Sequence, residues 1–136
     1  MKIKAVVDTN VLISGIFWRG TPFEVLKAWQ QGHFTLALSM PILEEYRRVL
    51  TELAATRPFT TLAPILQLIE FHSLTVEPVP FVRSVCEDSD DDKFLEAAIA
   101  AAAEYVVSGD KALLRVREHQ GVKIVQPSRF LRILFT

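Results

Sequence analysis

The aspartates of this 136-residue chain gather at three places, whereas its ten glutamates are scattered. The three places are Asp8, the run at residues 88–92 and Asp110. Asp8 and Asp110 each follow a short apolar segment typical of a buried strand, and ligands of open parallel sheets bind outside the carboxyl ends of strands. Carboxylates brought together on one rim repel each other unless a cation or protons neutralise them. Because hard oxygen ligands suit Mg²⁺ or Mn²⁺, the pattern predicts a divalent-metal site.

Taken one at a time, these acidic positions have a simpler interpretation. An aspartate between a strand and a helix is often an N-cap, which applies to Asp8 and to Asp110. The run at residues 88–92 precedes an alanine-rich segment, which its residues can cap, or its charges can stay solvated. Capping alone does not explain why three acidic places converge on one rim, so the metal site is retained as a hypothesis.

Helical angles point to a further carboxylate. We set Ile42 at 0° on a helical projection and add about 100° per residue. The apolar stripe of the helix is then centred at about 20°, whereas Glu44 lies at about 200° and Glu45 at about 300°. Glu44 therefore faces solvent, whereas Glu45 borders the buried face and can reach a cleft. The same construction places Asp92 at the margin of a buried face. Glu96 lies one turn above it, where it could support an outer metal shell.

The elements that must position these side chains alternate along the chain. Apolar segments predict strands at 3–7, 34–38, 105–108 and 122–125, and a short edge strand at 74–76. Apolar periodicity, with Thr21 and Ser39 as N-caps, predicts helices at 21–31, 40–53, 58–71, 92–103, 111–119 and from Pro127 onward. No element is assigned to 77–87. The alternation specifies an α/β fold, and we expect residues 1–136 to form a single three-layer α/β/α domain with a central parallel sheet.

Composition narrows the function classes. With 50% hydrophobic residues the chain can build a packed core, which excludes intrinsic disorder, and its formal charge of −1 argues against wholesale wrapping of nucleic acid. The single cysteine excludes internal disulfides and a cysteine-rich zinc site, and His33, His72 and His119 match no ligand spacing. No apolar run reaches the roughly 20 residues of a membrane span, so we expect a cytoplasmic protein with no membrane partner.

Four acidic blocks occur in an order that resembles a known family. They are Val6-Val7-Asp8-Thr9-Asn10-Val11-Leu12, Ile42-Leu43-Glu44-Glu45-Tyr46, Asp90-Asp91-Asp92-Lys93-Phe94-Leu95 and Val106-Val107-Ser108-Gly109-Asp110-Lys111. With these blocks the chain resembles the PIN-domain nucleases over essentially its full length, and most closely the branch of toxin components of toxin-antitoxin systems. The resemblance implies a Mg²⁺- or Mn²⁺-dependent endoribonuclease that hydrolyses RNA phosphodiester bonds.

The resemblance also implies roles for individual residues. The family's metal-ligating and catalytic acidic positions fall on Asp8, Glu45, Asp92 and Asp110. Asp91 is adjacent to Asp92, and a shift of one residue would exchange them. The spacing of 110 − 92 = 18 residues and the helical angle favour Asp92. Ser108 matches the family's serine or threonine near the metal, and Asn10 matches a polar residue that buttresses the first loop.

An RNA substrate needs positive charge near the acidic rim. Residues 111–132 contain six cations, namely Lys111, Arg115, Arg117, Lys123, Arg129 and Arg132, against one acid, Glu118. We expect Lys111 and Arg19, which lie beside the predicted site loops, to contact phosphate. A solvated face of amphipathic helices explains the remaining cations equally well.

Aromatic residues are candidates for partner surfaces. Phe17, Trp18, Phe59 and Phe71 could form an oligomer surface or a groove for an antitoxin segment, although core packing accounts for most residues of this kind. The family resemblance implies a homodimer and a cognate antitoxin protein as partners.

Three other functions fit parts of the pattern. The main alternative is a catalytically inactive PIN-like module that binds RNA or protein, and the four filled acidic positions argue against it. A phosphoaspartyl hydrolase would place a second aspartate where Asn10 stands. A receiver domain would place its phosphoacceptor after a middle strand, whereas Asp8 follows the first.

Overall fold

A computed structural model of the chain describes residues 2–57 and 63–136. The strands within these residues are β1 (Ile3–Val7), β2 (Phe34–Leu38), β3 (Leu74–Thr75), β4 (Tyr105–Val107), β5 (Glu118–His119) and β6 (Val122–Val125). The helices are α1 (Thr9–Phe17), α2 (Thr21–Gln30), α3 (Met40–Ala54), α4 (Ala63–His72), α5 (Asp92–Ala100), α6 (Lys111–Leu114) and α7 (Pro127–Leu134). One turn of 3₁₀ helix at Ser89–Asp91 leads directly into α5. The predicted α/β fold class is confirmed.

The order of the strands across the sheet is β3-β2-β1-β4-β6-β5, and the strands run parallel except β5, which pairs antiparallel with β6. Val7 of β1 lies opposite Val107 of β4, and Val107 lies opposite Val125 of β6, so these three strands end at one level. The chain first moves outward from β1 to β3 and then returns to β4 on the other side of β1. The strand order therefore reverses between β1 and β4, which is where ligands bind in open α/β sheets.

Helices cover both faces of the central strands. Residues 5–7 of β1 are fully buried, which explains why this strand is apolar without alternation. On one face, Phe34 of β2 and Tyr105 of β4 both pack edge-on against Phe130 of α7. Helix α5 packs against β1, β2, β4 and β6, and its right-handed connection from β3 to β4 places it on the opposite face. The acidic segment that precedes α5 is thereby brought to the sheet.

Two predicted helices have different bounds in the structure. The segment 111–119 is not one helix, because α6 ends at Leu114 and β5 follows it. Positive φ values at Arg117, Gln120 and Gly121 turn the chain into this edge hairpin. Helix α5 ends at Ala100 rather than at residue 103, and Ala102 turns the chain with a φ of 53°.

The ends of other predicted elements also need correction. Gly20 rather than Thr21 occupies the N-cap of α2, and Ser39 occupies that of α3 without a side-chain capping bond. The edge strand predicted at 74–76 is confirmed as β3. The first five residues of the helix predicted at 58–71 lie outside the described residues. Neither described range contains a helix long and apolar enough to cross a membrane.

Candidate active site

The carboxyl ends of β1 and β4 bring Asp8, Ser108 and Asp110 together where the strand order reverses. The backbone N–H of Asp8 donates to the carbonyl oxygen of Val107 at 2.9 Å. The Ser108 hydroxyl donates to Asp8 Oδ2 at 2.7 Å and accepts from the Asp110 N–H at 3.0 Å. Ser108 and Asp8 are both buried. One serine hydroxyl therefore links the two aspartates and fixes their relative position.

The capping interpretation applies to only one of these aspartates. Asp110 Oδ1 accepts from the Ala112 N–H at 3.0 Å and so caps α6. Asp8 stands at the N-cap position of α1, yet its side chain makes no capping bond there and accepts from Ser108 instead. The burial of Asp8 is thus not explained by helix capping.

Glu45 reaches this region from α3. Its neighbour Glu44 is exposed, as the helical angles predict, whereas the Glu45 side chain is 15% exposed. Thr9 Oγ1 donates to Glu45 Oε2, and the Lys93 ammonium lies 2.8 Å from Glu45 Oε1. Both oxygens of Glu45 are engaged, so this carboxylate is held between the first turns of α1 and α5.

Asp91 and Asp92 have different surroundings although they are adjacent. Asp92 Oδ1 accepts from the backbone N–H groups of Cys86 at 2.8 Å and Val85 at 3.1 Å. Burial of Asp92 favours a higher pKa, but hydrogen bonds from Cys86, Ser84 and Val85 outweigh it and hold the pKa below its usual value. Burial and the negative charges of Asp8, Asp88 and Asp110 raise the pKa of Asp91 to about 6. The charges of the strand-end aspartates therefore act on Asp91.

The two aspartates differ in what they face: Asp92 Oδ1 accepts from the preceding loop, whereas the charges of Asp8 and Asp110 act on Asp91. The choice of Asp92 as the metal ligand stays a prediction. The helical angle correctly placed Asp92 at a buried margin, but the backbone of the preceding loop occupies that margin. Glu96 is also used by this loop, since its Oε2 accepts from the Phe81 N–H at 2.6 Å. Asp92 and Glu96 thus anchor the segment that enters α5.

Four carboxylates form what we call the acidic group: Asp8, Glu45, Asp91 and Asp110. Burial raises the pKa of Asp8, the charges of Asp110 and Glu45 raise it further, and the Ser108 hydrogen bond opposes the rise. The charges of Asp8 and Asp110 likewise raise the pKa of Asp91. Mutual repulsion of this kind is relieved by a bound cation.

The donor chemistry of the acidic group suits a hard divalent cation, because its side chains offer only carboxylate oxygens. Over residues 2–57 and 63–136, however, no three His, Cys, Asp or Glu side chains are close enough together to hold a metal ion as they stand. At Glu45, both oxygens are already engaged by Thr9 and Lys93. The Lys93 ammonium, which is also 3.0 Å from Asp90 Oδ2, supplies positive charge beside the acidic group.

Four polar residues near the site were not found by sequence reasoning. Thr9 and Lys93 bind Glu45. Both lie within the four acidic blocks, next to a candidate aspartate, and this proximity was the sequence signal for a role at the site. The buried Tyr46 hydroxyl donates to the carbonyl oxygen of Val7, which ties α3 to the end of β1. Burial and the nearby negative charges of Asp8 and Glu45 raise the pKa of Tyr46, which keeps it a donor. The buried Ser39 hydroxyl, just after β2, finds no partner among the described residues.

Three further predicted site residues lie on the surface. Lys111 is exposed at the start of α6, directly after Asp110. Arg19 is exposed between α1 and α2, and its guanidinium lies 5.2 Å from the centre of the Phe23 ring. Asn10 is exposed on α1, and its supporting role in the first loop stays a prediction.

The mostly parallel six-stranded sheet agrees with the comparisons to known proteins. A family model described as PIN domain matches residues 4–112, and the chain belongs to this family. PIN domains are generally nucleases that act on nucleic acid, and they typically use divalent metals. The family predicted from the four acidic blocks is thus confirmed.

One relative and one solved structure illustrate the similarity. The uncharacterized protein MJ1680 of Methanocaldococcus jannaschii is 31% identical over 121 residues, which cover 87% of this chain and 77% of that protein. The crystal structure of PAE2754 from Pyrobaculum aerophilum aligns with a TM-score of 0.63 and 15% identity, covering 98% of this chain and 91% of that one. At this identity the second match supports the fold alone.

Proposed function

We propose that this protein is an endoribonuclease that hydrolyses RNA phosphodiester bonds with the help of Mg²⁺ or Mn²⁺. The observation that carries the proposal is the acidic group at the reversal of strand order, where Asp8 is buried and both Asp8 and Asp91 have a raised pKa. Asp8, Asp91 and Asp110 would hold the metal, with Glu45 as the fourth carboxylate. When bound, such a cation supplies Lewis-acid activation of water and neutralises negative charge on the phosphodiester.

The chain's own residues position these carboxylates. Ser108 holds Asp8 and Asp110 at a fixed separation through its two hydrogen bonds. Thr9 and Lys93 orient Glu45 from opposite sides. Lys111, which is exposed and directly follows Asp110, would contact a substrate phosphate. Because most of these groups lie at strand ends and in first helical turns, the sheet and helices preorganise the site.

We further infer a biological role from the family branch that the sequence resembles. In this role the protein is a cytoplasmic toxin of a toxin-antitoxin pair, forms a homodimer and binds a cognate antitoxin protein. Exposed aromatic surface supports a partner, since Phe71 is 81% and Trp18 48% exposed. The guanidinium of Arg57 covers part of the Phe17–Trp18 pair, at 5.1 and 4.8 Å from the ring centres. Phe59 lies outside the described residues.

A second candidate function is a PIN-like module that binds RNA without cutting it. One observation favours it: the Lys93 side chain, 12% exposed, already forms an ion pair with Glu45. In this alternative Lys93 would permanently offset part of the negative charge of the acidic group in place of a metal. The two functions differ in whether added Mn²⁺ produces cleavage.

Cleavage of an end-labelled RNA mixture in Mn²⁺, Mg²⁺ or EDTA tests the proposal. We expect metal-dependent cleavage by the wild type and a loss of more than about 100-fold in Asp91→Asn and Glu45→Gln, because changing even outer-shell partners of a metal costs about 10–100-fold. The matched controls are the neighbouring substitutions Asp92→Asn and Glu44→Gln. Asp92→Asn should keep cleaving at a temperature where it is folded, and Glu44→Gln should behave like the wild type.

Each outcome of this assay decides between specific hypotheses. Loss of cleavage in folded Asp92→Asn alone would return the ligand position to Asp92 and overturn the assignment of Asp91. RNA binding without cleavage in any metal would favour the non-cutting module. Cleavage that persists in EDTA and in every variant would identify a contaminating ribonuclease and leave the wild type without the proposed activity.

A further inference from the structure

The cations of the C-terminal quarter divide into two sets in the structure. Arg115 is neutralised, because its Nη1 lies 2.9 Å from both carboxylate oxygens of Glu87. Arg117, Lys123, Arg129 and Arg132 are exposed, and none of the four forms an ion pair with a described residue. The second set therefore keeps its positive charge available for a ligand.

These four cations line one groove. It lies between α7 and the hairpin of β5 and β6, has a volume of about 570 Å³, and contains Glu118 as its acid among the described residues. A single water molecule takes about 30 Å³ of liquid, so the groove accommodates a segment of a polymer rather than one small ion. Arg129 and Arg132 are three residues apart on α7 and so share a helix face. We call this feature the basic groove.

The basic groove begins beside the acidic group. Gln126, which lines the groove, directly follows β6, and Ser108 directly follows β4. The Ser108 N–H donates to the carbonyl oxygen of Val125 at 3.0 Å, so these two strand ends are adjacent. Asp8 directly follows β1, the neighbour of β4 on its other side. The end of β6 is therefore two strand spacings, or roughly 10 Å, from the end of β1. From Gln126 the groove extends away from the acidic group toward Lys123.

The lining of the basic groove specifies the chemistry of its occupant. The apolar side chains that line the groove are the buried Ile124 and Val125 and the half-buried Leu114, and none of them is a large exposed anchor for a peptide. No aromatic residue of the described chain lines the groove, so it has no platform on which a base could stack. Three guanidinium groups and one ammonium group in a single groove instead suit several phosphates of one chain.

We propose that the basic groove binds the sugar-phosphate backbone of the RNA on one side of the bond that is cut. The proposal rests on the function proposed above and adds the surface by which a long substrate is held. Binding there is independent of base sequence, because phosphates carry no sequence information. A polyanion that reaches from the acidic group into the groove should be preferred over a dinucleotide, which reaches only the acidic group.

The test compares the wild type with the double variant Arg129→Ala/Arg132→Ala, using a labelled single-stranded oligoribonucleotide in EDTA so that binding is measured without cleavage. We expect weaker binding and a slope of log K against log salt that is reduced by about 1.4, since each phosphate contact on a single strand contributes about 0.7. Accordingly, the ratio of the wild-type binding constant to that of the variant should fall about sevenfold between 50 and 200 mM salt. Arg115→Ala, which removes the neutralised cation, is the matched control and should bind like the wild type.

Conservative variants and cleavage assays complete the test. Arg129→Lys/Arg132→Lys should restore the salt slope, and thermal melts identify any variant that does not fold. In Mn²⁺, Arg129→Ala/Arg132→Ala should cleave the long RNA with a higher KM than the wild type. Its KM for a dinucleotide should equal that of the wild type. Identical binding and slope in the wild type and in folded Arg129→Ala/Arg132→Ala would overturn the proposal, as would stronger groove-dependent binding of polyglutamate than of RNA. Groove-dependent RNA binding without any cleavage would overturn the nuclease function and leave the groove assignment standing.

Discussion

At the scale of single residues, the acidic group is an arrangement that folding alone does not favour. Asp8 gives up solvation when it is buried, and Asp91 is placed where the charges of Asp8, Asp88 and Asp110 act on it. Ser108 and Lys93 compensate in part, by a hydrogen bond to Asp8 and an ion pair with Glu45. Remaining repulsion of this kind is typical of sites that bind a cation.

The raised pKa of Asp91 predicts how stability depends on pH. The pKa is about 6 in the folded protein and about 3.9 in an unfolded chain, so folding takes up a proton between these values. The contribution of Asp91 to stability is present below about pH 4 and is lost as the pH rises through about 6. In EDTA, Asp91→Asn should therefore gain stability relative to the wild type as the pH is raised from about 4 to about 7.

Urea denaturation at a series of pH values measures this difference, and Glu44→Gln serves as the control for removing one exposed carboxylate. A difference between Asp91→Asn and the wild type that stays constant over the whole pH series would contradict the assigned environment of Asp91.

At the scale of elements, the start of α5 serves two purposes. Asp91, at its N-cap, belongs to the acidic group, whereas Asp92 and Glu96, within it, accept hydrogen bonds from the loop that precedes the helix. That loop, residues 76–88, contains no helix or strand, so these side-chain bonds help to fix its backbone. The position of the acidic group thus depends on residues that do not belong to it.

The loop contacts predict a stability difference between two adjacent aspartates. Asp92→Ala leaves the Val85 and Cys86 N–H groups without their acceptor and should cost about 1–3 kcal/mol of unfolding free energy. Asp91→Ala, the matched control, removes a repelled charge and should cost nothing in EDTA. Urea denaturation measures both, and hydrogen exchange at Val85 and Cys86 should accelerate in Asp92→Ala. A fully stable Asp92→Ala with unchanged exchange at these amides would show that the loop is held by other contacts.

Prediction of the elements succeeded where the signal was local. The apolar runs at 3–7, 34–38 and 122–125 became strands with those bounds. Helix α1 was not predicted, although Gly15 within it permits close approach to α2, where a Cβ would lie 2.7 Å from Leu26 Cδ1. The residues 118–119 were assigned to a helix because the preceding pattern is helical, but pairing with β6 makes them a strand. Such pairing depends on a partner that a sequence window does not contain.

At the scale of the whole molecule, the sheet order separates two kinds of charge. Carboxylates collect at the reversal point between β1 and β4, and cations without an ion pair to any described residue line the basic groove beyond β6. The formal charge of −1 conceals this division, because the two sets nearly cancel in the total. A phosphodiester chain can therefore meet an acidic edge and a cationic surface that adjoin each other.

Metal binding should be visible as a change in global stability. A ligand that binds only the folded state stabilises it by about 2.7 kcal/mol at 100 times its dissociation constant, so saturating Mn²⁺ should raise the melting temperature of the wild type. Asp8→Asn removes one carboxylate of the acidic group and should lose most of this rise, whereas Glu44→Gln should keep it. Thermal melts in EDTA and in Mn²⁺ provide the measurement. An equal rise in Asp8→Asn would place the metal elsewhere.

The sequence by itself determined the fold class and the family, and it indicated which strand ends carry aspartates. Apolar periodicity specifies which side of an element is buried, and Asp8 and Asp110 follow strands that had to lie in the interior. The sequence also distinguishes Glu44 from Glu45, because both lie on one helix and their angles from its apolar face differ. Only the tertiary structure decided that the Asp92 carboxylate binds the preceding loop while the charges of the strand-end aspartates act on Asp91. It also decided that Lys93 pairs with Glu45, and that Arg115 pairs with Glu87 while Arg129 is free of ion pairs among the described residues. These contacts join residues of different elements, so they depend on how the elements pack and not on the spacing along any one of them.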